Sequence, residues 1–122
     1  MRKLFLVFSF LIVLVIFPAL SFAQDAVKVD PDNYKVEFEN DQVRVLRISL
    51  DPGEKGIMHS HPDGVVVFLN DGEGKFTFPD GKTRESKFKS GQVIWAPAIT
   101  HKGENTGKKS FEVIQIEFKK NN

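Results

Sequence analysis

The sequence predicts a single all-β domain, a sandwich or small barrel, and three observations carry that expectation. Short runs rich in Val, Ile, Phe and Thr recur between clusters of Gly, Pro, Asn and Asp. Helical periodicity is hard to find after the N-terminal apolar run. The turn clusters divide the remaining chain into eight short strands, the spacing of a sandwich or barrel.

The elements follow in order. Residues 1–23 begin with Arg2 and Lys3, continue through an apolar run over 4–17, and end in Ser21-Phe22-Ala23. That order of charge, apolar core and small residues predicts a secretory signal peptide cut after Ala23. The run falls short of the ~20 residues of a spanning helix, so no stable membrane anchoring is expected after cleavage. The domain is therefore expected to be exported, periplasmic or extracellular. No cysteine follows the run, which argues against a lipid-anchored form. Residues 24–34, polar and containing Pro31, are expected to form an extended N-terminal arm. The barrel is expected over 35–119, with a solvated tail at 120–122.

Strands are predicted at 35–39, 43–50, 57–61, 65–69, 75–78, 83–88, 93–96 and 110–118. Between them lie the turn formers Asn40-Asp41, Asp51-Pro52-Gly53, Asn70-Asp71-Gly72, Pro79-Asp80-Gly81 and Ser90-Gly91. In the last strand Phe111, Val113, Gln115 and Glu117 alternate with Glu112, Ile114, Ile116 and Phe118, so neither face is purely polar. Such a strand is central or lies at an interface. The phenylalanines of the domain, Phe38, Phe68, Phe76, Phe78, Phe88, Phe111 and Phe118, are expected to pack the core.

Composition excludes several functions. The chain has 17 Lys and Arg against 16 Asp and Glu; without Arg2 and Lys3 the balance is 15 to 16, or near −1. With no basic cluster there is no footprint for nucleic acid. The absence of cysteine removes disulfides, thiolate catalysis and cysteine-rich zinc sites.

The 3 histidines fall within two short patterns, Gly53-x5-His59-x-His61 and Gly91-x5-Pro97-x3-His101-x3-Asn105. A pair at i and i+2 puts both imidazoles on one face of a strand. His101, well downstream, would complete one face of a metal's coordination sphere. The bland alternative is that the three rings line a polar cavity or bond the backbone.

The two patterns resemble the paired motifs of the cupin superfamily, barrels of the double-stranded β-helix or jelly-roll type. The first family motif runs Gly, five residues, His-x-His, three or four residues, Glu, six residues, Gly; here Gly53, His59, His61 and Gly72 match, and the glutamate position falls on Val65. The second runs Gly, five residues, Pro-x-Gly, two residues, His, three residues, Asn; here Gly91, Pro97, His101 and Asn105 match, the interior glycine is absent and the Pro-to-His gap is one residue shorter. The resemblance implies a cupin barrel with a metal on His59, His61 and His101. Gly53, Gly72, Gly91 and Pro97 would shape turns, and Asn105 is a turn former rather than a ligand.

If alternation persists past Pro62, Val65 points where the family's carboxylate binds metal. Asp63 would share that face, although Pro62-Asp63-Gly64 reads as a turn. Three neutral imidazoles leave a divalent ion its full charge, which favours a small anionic or chelating molecule as partner. Iron, manganese, nickel, copper and zinc all remain open. Met58, Val65, Val67, Phe76, Trp95 and Ile99 are the candidate pocket walls. The resemblance makes dioxygenase chemistry available, and the alternative is a non-catalytic module that captures a small ligand or metal. A metal-free epimerase is disfavoured, because no further histidine remains and Tyr34 falls in the arm. A homodimer through sheet edges is expected.

Overall fold

In the strand Val43–Leu50, Leu46, Ile48 and Leu50 are buried while the residues between them are only partly covered. This period of two marks a strand with one face on a core. The computed structural model describes residues 24–120; the signal-peptide assignment to 1–23 and the last two residues of the tail lie outside the described residues.

The order of elements is α1 (Ala26–Val29), β1 (Tyr34–Glu39), β2 (Val43–Leu50), β3 (His59–His61), β4 (Gly64–Phe68), β5 (Gly72–Thr77), β6 (Thr83–Phe88), β7 (Val93–Ala96), β8 (Ile99–Asn105) and β9 (Phe111–Phe118). A five-stranded sheet, β1-β2-β9-β4-β7, stands against a four-stranded sheet, β3-β8-β5-β6. Every pairing between these strands is antiparallel. The fold is thus the expected all-β, two-sheet barrel.

Aromatic side chains hold the two layers together. Phe88 of the smaller sheet stacks on Phe68 of the larger at 4.2 Å between ring centroids, and on Phe111 at 5.6 Å. Leu46, Ile48, Leu50 and Val113 complete the buried centre. Two of the phenylalanines expected in the core are instead exposed, Phe38 and Phe118. They lie on the outward face of the larger sheet, because Phe38 pairs with Val45 and Phe118 with Val43.

Three further expectations are corrected. The 24–34 arm is not extended throughout: Asp25 accepts from the Val27 N–H at 2.9 Å and caps the single turn of α1. The third strand is shorter than 57–61 and begins at His59. A ninth strand, β8, was missing from the prediction, and it carries His101.

Two motif glycines take the left-handed backbone that turns require, Gly53 at φ 78° and Gly91 at φ 79°. The Gly53 N–H donates to the Asn105 carbonyl at 2.9 Å, and the Asn105 N–H donates to Glu54 O at 3.0 Å. The start of the first histidine pattern is thereby tied to the end of the second.

Candidate metal centre

β3 and β8 pair so that His59 stands directly opposite His101, and His61 opposite Ile99. Cross-strand partners share a face, so all three imidazoles project inward from one patch of sheet. Their candidate ligand nitrogens lie within 4.8 Å of one another. The rings meet edge-on, with centroids 4.6 Å apart for His59 and His61 and 5.0 Å for His59 and His101.

Each ring is held by different means. His59 is 0% exposed, and its Nδ1–H donates to the Ile57 carbonyl at 2.6 Å. Because a carbonyl only accepts, the free lone pair must sit on Nε2. That Nε2 is the one buried side-chain nitrogen or oxygen among the described residues without a hydrogen-bond partner. Leaving such an atom unpaired costs about 1–3 kcal/mol. A metal ion between the three rings would supply the missing partner, and a set of three imidazoles suits a divalent transition metal.

His61 donates Nδ1–H to Glu117 Oε1 at 2.7 Å. Glu117 Oε2 in turn accepts from Arg44 Nε at 2.8 Å, and Arg44 Nη1 reaches Asp25 Oδ2 at 2.7 Å. A chain of alternating charge therefore runs from the centre to the N-terminal segment. That segment is docked on β3, where the Ser60 N–H donates to the Gln24 carbonyl at 2.8 Å. His101 is stacked on Phe76 at 5.4 Å.

Burial sets the protonation states. It pushes His59 down to about 4, helped by the neighbouring His61. It pushes His101 down to about 3, helped by His59, His61 and Arg84. Both are neutral near pH 7, the form that binds metal. Burial opposes ionisation of Glu117, but the hydrogen bonds from His61 and Arg44 outweigh it and hold the carboxyl below its usual range. Tyr34, whose ring meets His59 at 4.6 Å, is pushed up by burial and then by Asp30, so its phenol stays protonated.

Val65 does not face the centre. It pairs with Trp95 and Ile116 on the outward side of the larger sheet, because β3 and β4 belong to different sheets and the alternation breaks between them. The inward residue is its neighbour Val66, which lines the central cavity with His61 and His101. Val66 corresponds to the four-residue spacing of the family motif, so the position facing the centre is still a valine. Asp63 offers no substitute: it is exposed and accepts from the Ala98 N–H at 2.7 Å.

The cavity beside the histidines measures about 430 Å³, within the range of small-molecule sites. Of the candidate walls, Phe76 and Ile99 border it, and Trp95 touches it although its ring is largely exposed and stacks on Phe118, whereas Met58, Val65 and Val67 do not border it. The rest of the wall is mainly apolar, with Tyr34, Arg84, Ser86 and Gln115 as polar members. Arg84 sits 5.6 Å over the Phe78 ring and makes no ion pair among the described residues.

The remaining motif residues shape the frame. Asn105 is buried, donates its amide to Leu50 O and Lys109 O at 2.8 Å each, and accepts from the Gly107 N–H. Gly72 opens β5 opposite Phe88, and Pro97 borders the cavity between β7 and β8. Sequence reasoning overlooked Tyr34, Arg44 and Glu117 as parts of the centre. For Glu117 a signal existed, since a carboxylate in step with Phe111 and Val113 on a core-facing strand needs a buried partner.

A family model described as "Cupin domain" matches residues 46–117. Among solved structures the chain is similar to a cupin domain from Bordetella pertussis Tohama I, with 27% identity, 71% of this chain and 92% of that chain covered, and a TM-score of 0.66. It is also similar to a Bacillus halodurans protein, at 21% identity, 73% and 71% coverage and a TM-score of 0.57. An RmlC-like cupin from Methanocaldococcus jannaschii with a double-stranded β-helix fold is 19% identical, with 73% and 83% coverage and a TM-score of 0.54. The last two likenesses concern the fold alone. No curated protein matches the chain.

Proposed function

Because the chain belongs to the cupin domain family, whose model spans 46–117, we propose that its barrel holds a divalent transition metal on His59, His61 and His101 and uses it to bind a small molecule. One observation carries this reading: the buried, partnerless Nε2 of His59 beside two further imidazoles. When bound, the metal would supply a Lewis acid, and with a redox-active ion the dioxygen chemistry open to three-histidine sites.

The chain's own residues define what the molecule looks like. Phe68, Phe76, Phe88 and Ile99 offer an apolar wall, suited to a compact hydrocarbon or aromatic body. Arg84, without an acidic partner among the described residues, favours an anionic group, and no carboxylate from Val66 competes with a chelating end. Tyr34, held protonated, and Gln115 can hydrogen-bond the ligand and fix its orientation. The signal-like residues 1–23 support an exported protein.

The test is elemental analysis of the tag-free protein beside a His59→Ala/His61→Ala/His101→Ala variant. About one transition metal per chain, lost in the variant, is expected. Metal retained by the variant would refute the ligand set. No metal after reconstitution with iron, manganese, nickel, copper and zinc would leave a metal-free ligand barrel. Oxygen uptake with candidate ligands then separates an oxygenase from a module that only captures its ligand.

A further inference from the structure

The strand β3 carries two of the three histidines, yet it stands at the edge of its sheet and pairs with β8 over only three positions, His59, Ser60 and His61. So short an edge strand has few bonds to resist local opening. Its other side is covered by residues 24–34, which lie outside the stretch 46–117 matched by the family model. The Ser60 N–H, between the two histidines, donates to the Gln24 carbonyl at 2.8 Å, and Asp25 bridges to Ser60 in parallel. Ala26 is fully buried beneath this contact.

Side chains of the same segment brace each histidine of β3. His61 is reached through Glu117 and Arg44 from Asp25, whose Oδ2 accepts from Arg44 Nη1 at 2.7 Å while its Oδ1 caps α1. His59 meets the Tyr34 ring, and the Ile57 carbonyl that accepts its Nδ1–H belongs to a residue whose own N–H points at Asp30 Oδ2, 3.4 Å away. His101 draws its support elsewhere, from pairing of β8 on both sides and from Phe76.

We infer that residues 24–34 are a clamp that positions His59 and His61, closed by the Asp25–Arg44 ion pair, so that docking of the segment and binding of metal reinforce each other. Granted the metal proposed above, on which this rests, Asp25 and Arg44 are positioning residues, because each acts through another side chain. The pair is more than a surface contact: the side chains of Arg44 and Asp25 are only 18% and 29% exposed, so salt screens them less. Without the charge of Asp25, the guanidinium that holds Glu117 loses its second anchor, and the His61 ring gains freedom with it. A metal on His59 and His61 does the reverse: it pins β3 and with it the Ser60 N–H that holds Gln24. By linkage the two equilibria change by the same factor.

The experiment is cobalt(II) titration with hydrogen exchange, on protein expressed from the full chain and with its N-terminus read by mass spectrometry. Bound cobalt should slow exchange in peptides covering 24–34 and Ser60 while leaving β6 unchanged. Asp25→Asn keeps a good N-cap but removes the charge facing Arg44. It should bind cobalt about five- to tenfold more weakly, alter the visible absorption of the cobalt complex and lose the added protection of 24–34, with circular dichroism preserved. Asp25→Glu, which keeps the charge, should recover most of the affinity. Equal affinity in Asp25→Asn and wild type would overturn the clamp and leave the metal site standing. Equal losses in both variants would also overturn it, since the shape of Asp25 and not its charge would then matter. Exchange of 24–34 indifferent to bound cobalt would overturn it without recourse to any variant. A wild type that binds no cobalt would overturn the metal reading and the clamp with it.

Discussion

Glu117 brings to the centre a negative charge that no imidazole ligand supplies. Its carboxylate, fixed between His61 and Arg44, makes the Nδ1 side of His61 electron-rich and the ring a better donor at Nε2. Glu117→Gln keeps the size but removes the charge. We expect metal affinity to fall about 10- to 100-fold, measured by competition with a chromophoric chelator, while circular dichroism is preserved. Unchanged affinity would reduce Glu117 to a structural ion pair with Arg44. His59 and His61 were legible at this scale because an i, i+2 pair needs only the alternation of one strand. Glu117 was not, because the 56 residues that separate it from His61 are bridged only by sheet pairing.

At the scale of elements, β8 was the strand that sequence reading missed. Its outward residues Thr100, Lys102 and Glu104 are polar, and its inward ones are Ile99, His101, Gly103 and Asn105, so neither set resembles a hydrophobic stripe. Gly103 is inward by the same alternation, and a Cβ there would come into contact with Phe76 and Leu50. The strand is held by register and by Asn105, which ties β8 to the end of β2 and to the turn before β9. Asn105→Ala removes both donors and the acceptor for Gly107, leaving the buried Leu50 carbonyl unpaired. A loss of about 2–3 kcal/mol is expected, read from the shift in urea midpoint; a loss within 0.5 kcal/mol would mean that water replaces these bonds. At Gly64 the constraint is space, since a Cβ would meet the Ile116 carbonyl.

Burial of His59 and His101 makes the stability of the whole molecule depend on pH. In the metal-free protein His59 and His101 stay neutral until the pH approaches about 4 and 3, whereas the unfolded chain protonates them near their reference value of ~6.5. The unfolded state therefore binds more protons below that value, and stability falls as pH drops from about 6.5 toward 4. Above 6.5 these two groups have no further effect. Two protons set the steepest slope at about 2.7 kcal/mol per pH unit. Urea unfolding at pH 7.5 and 5.0 in the presence of a chelator should show the midpoint lower at pH 5.0, and equal midpoints would mean that both rings are charged in the folded state. Tyr34 takes part in the same burial; the sequence reading set it in the N-terminal arm, whereas it opens β1 and its ring meets His59.

Local patterns in the chain were enough to establish an all-β domain, most of its strands and turns, and a His59, His61 and His101 cluster. Such features depend on alternation within a strand, on backbone preferences of glycine and proline, and on short spacings. Other features came from the pairing of distant strands. These include Val66 rather than Val65 facing the centre, the path from His61 through Glu117 and Arg44 to Asp25, and the outward placement of Phe38 and Phe118. The reason is physical: a register shift of one residue turns every side chain to the opposite face, and that register is set by packing between segments far apart in the sequence.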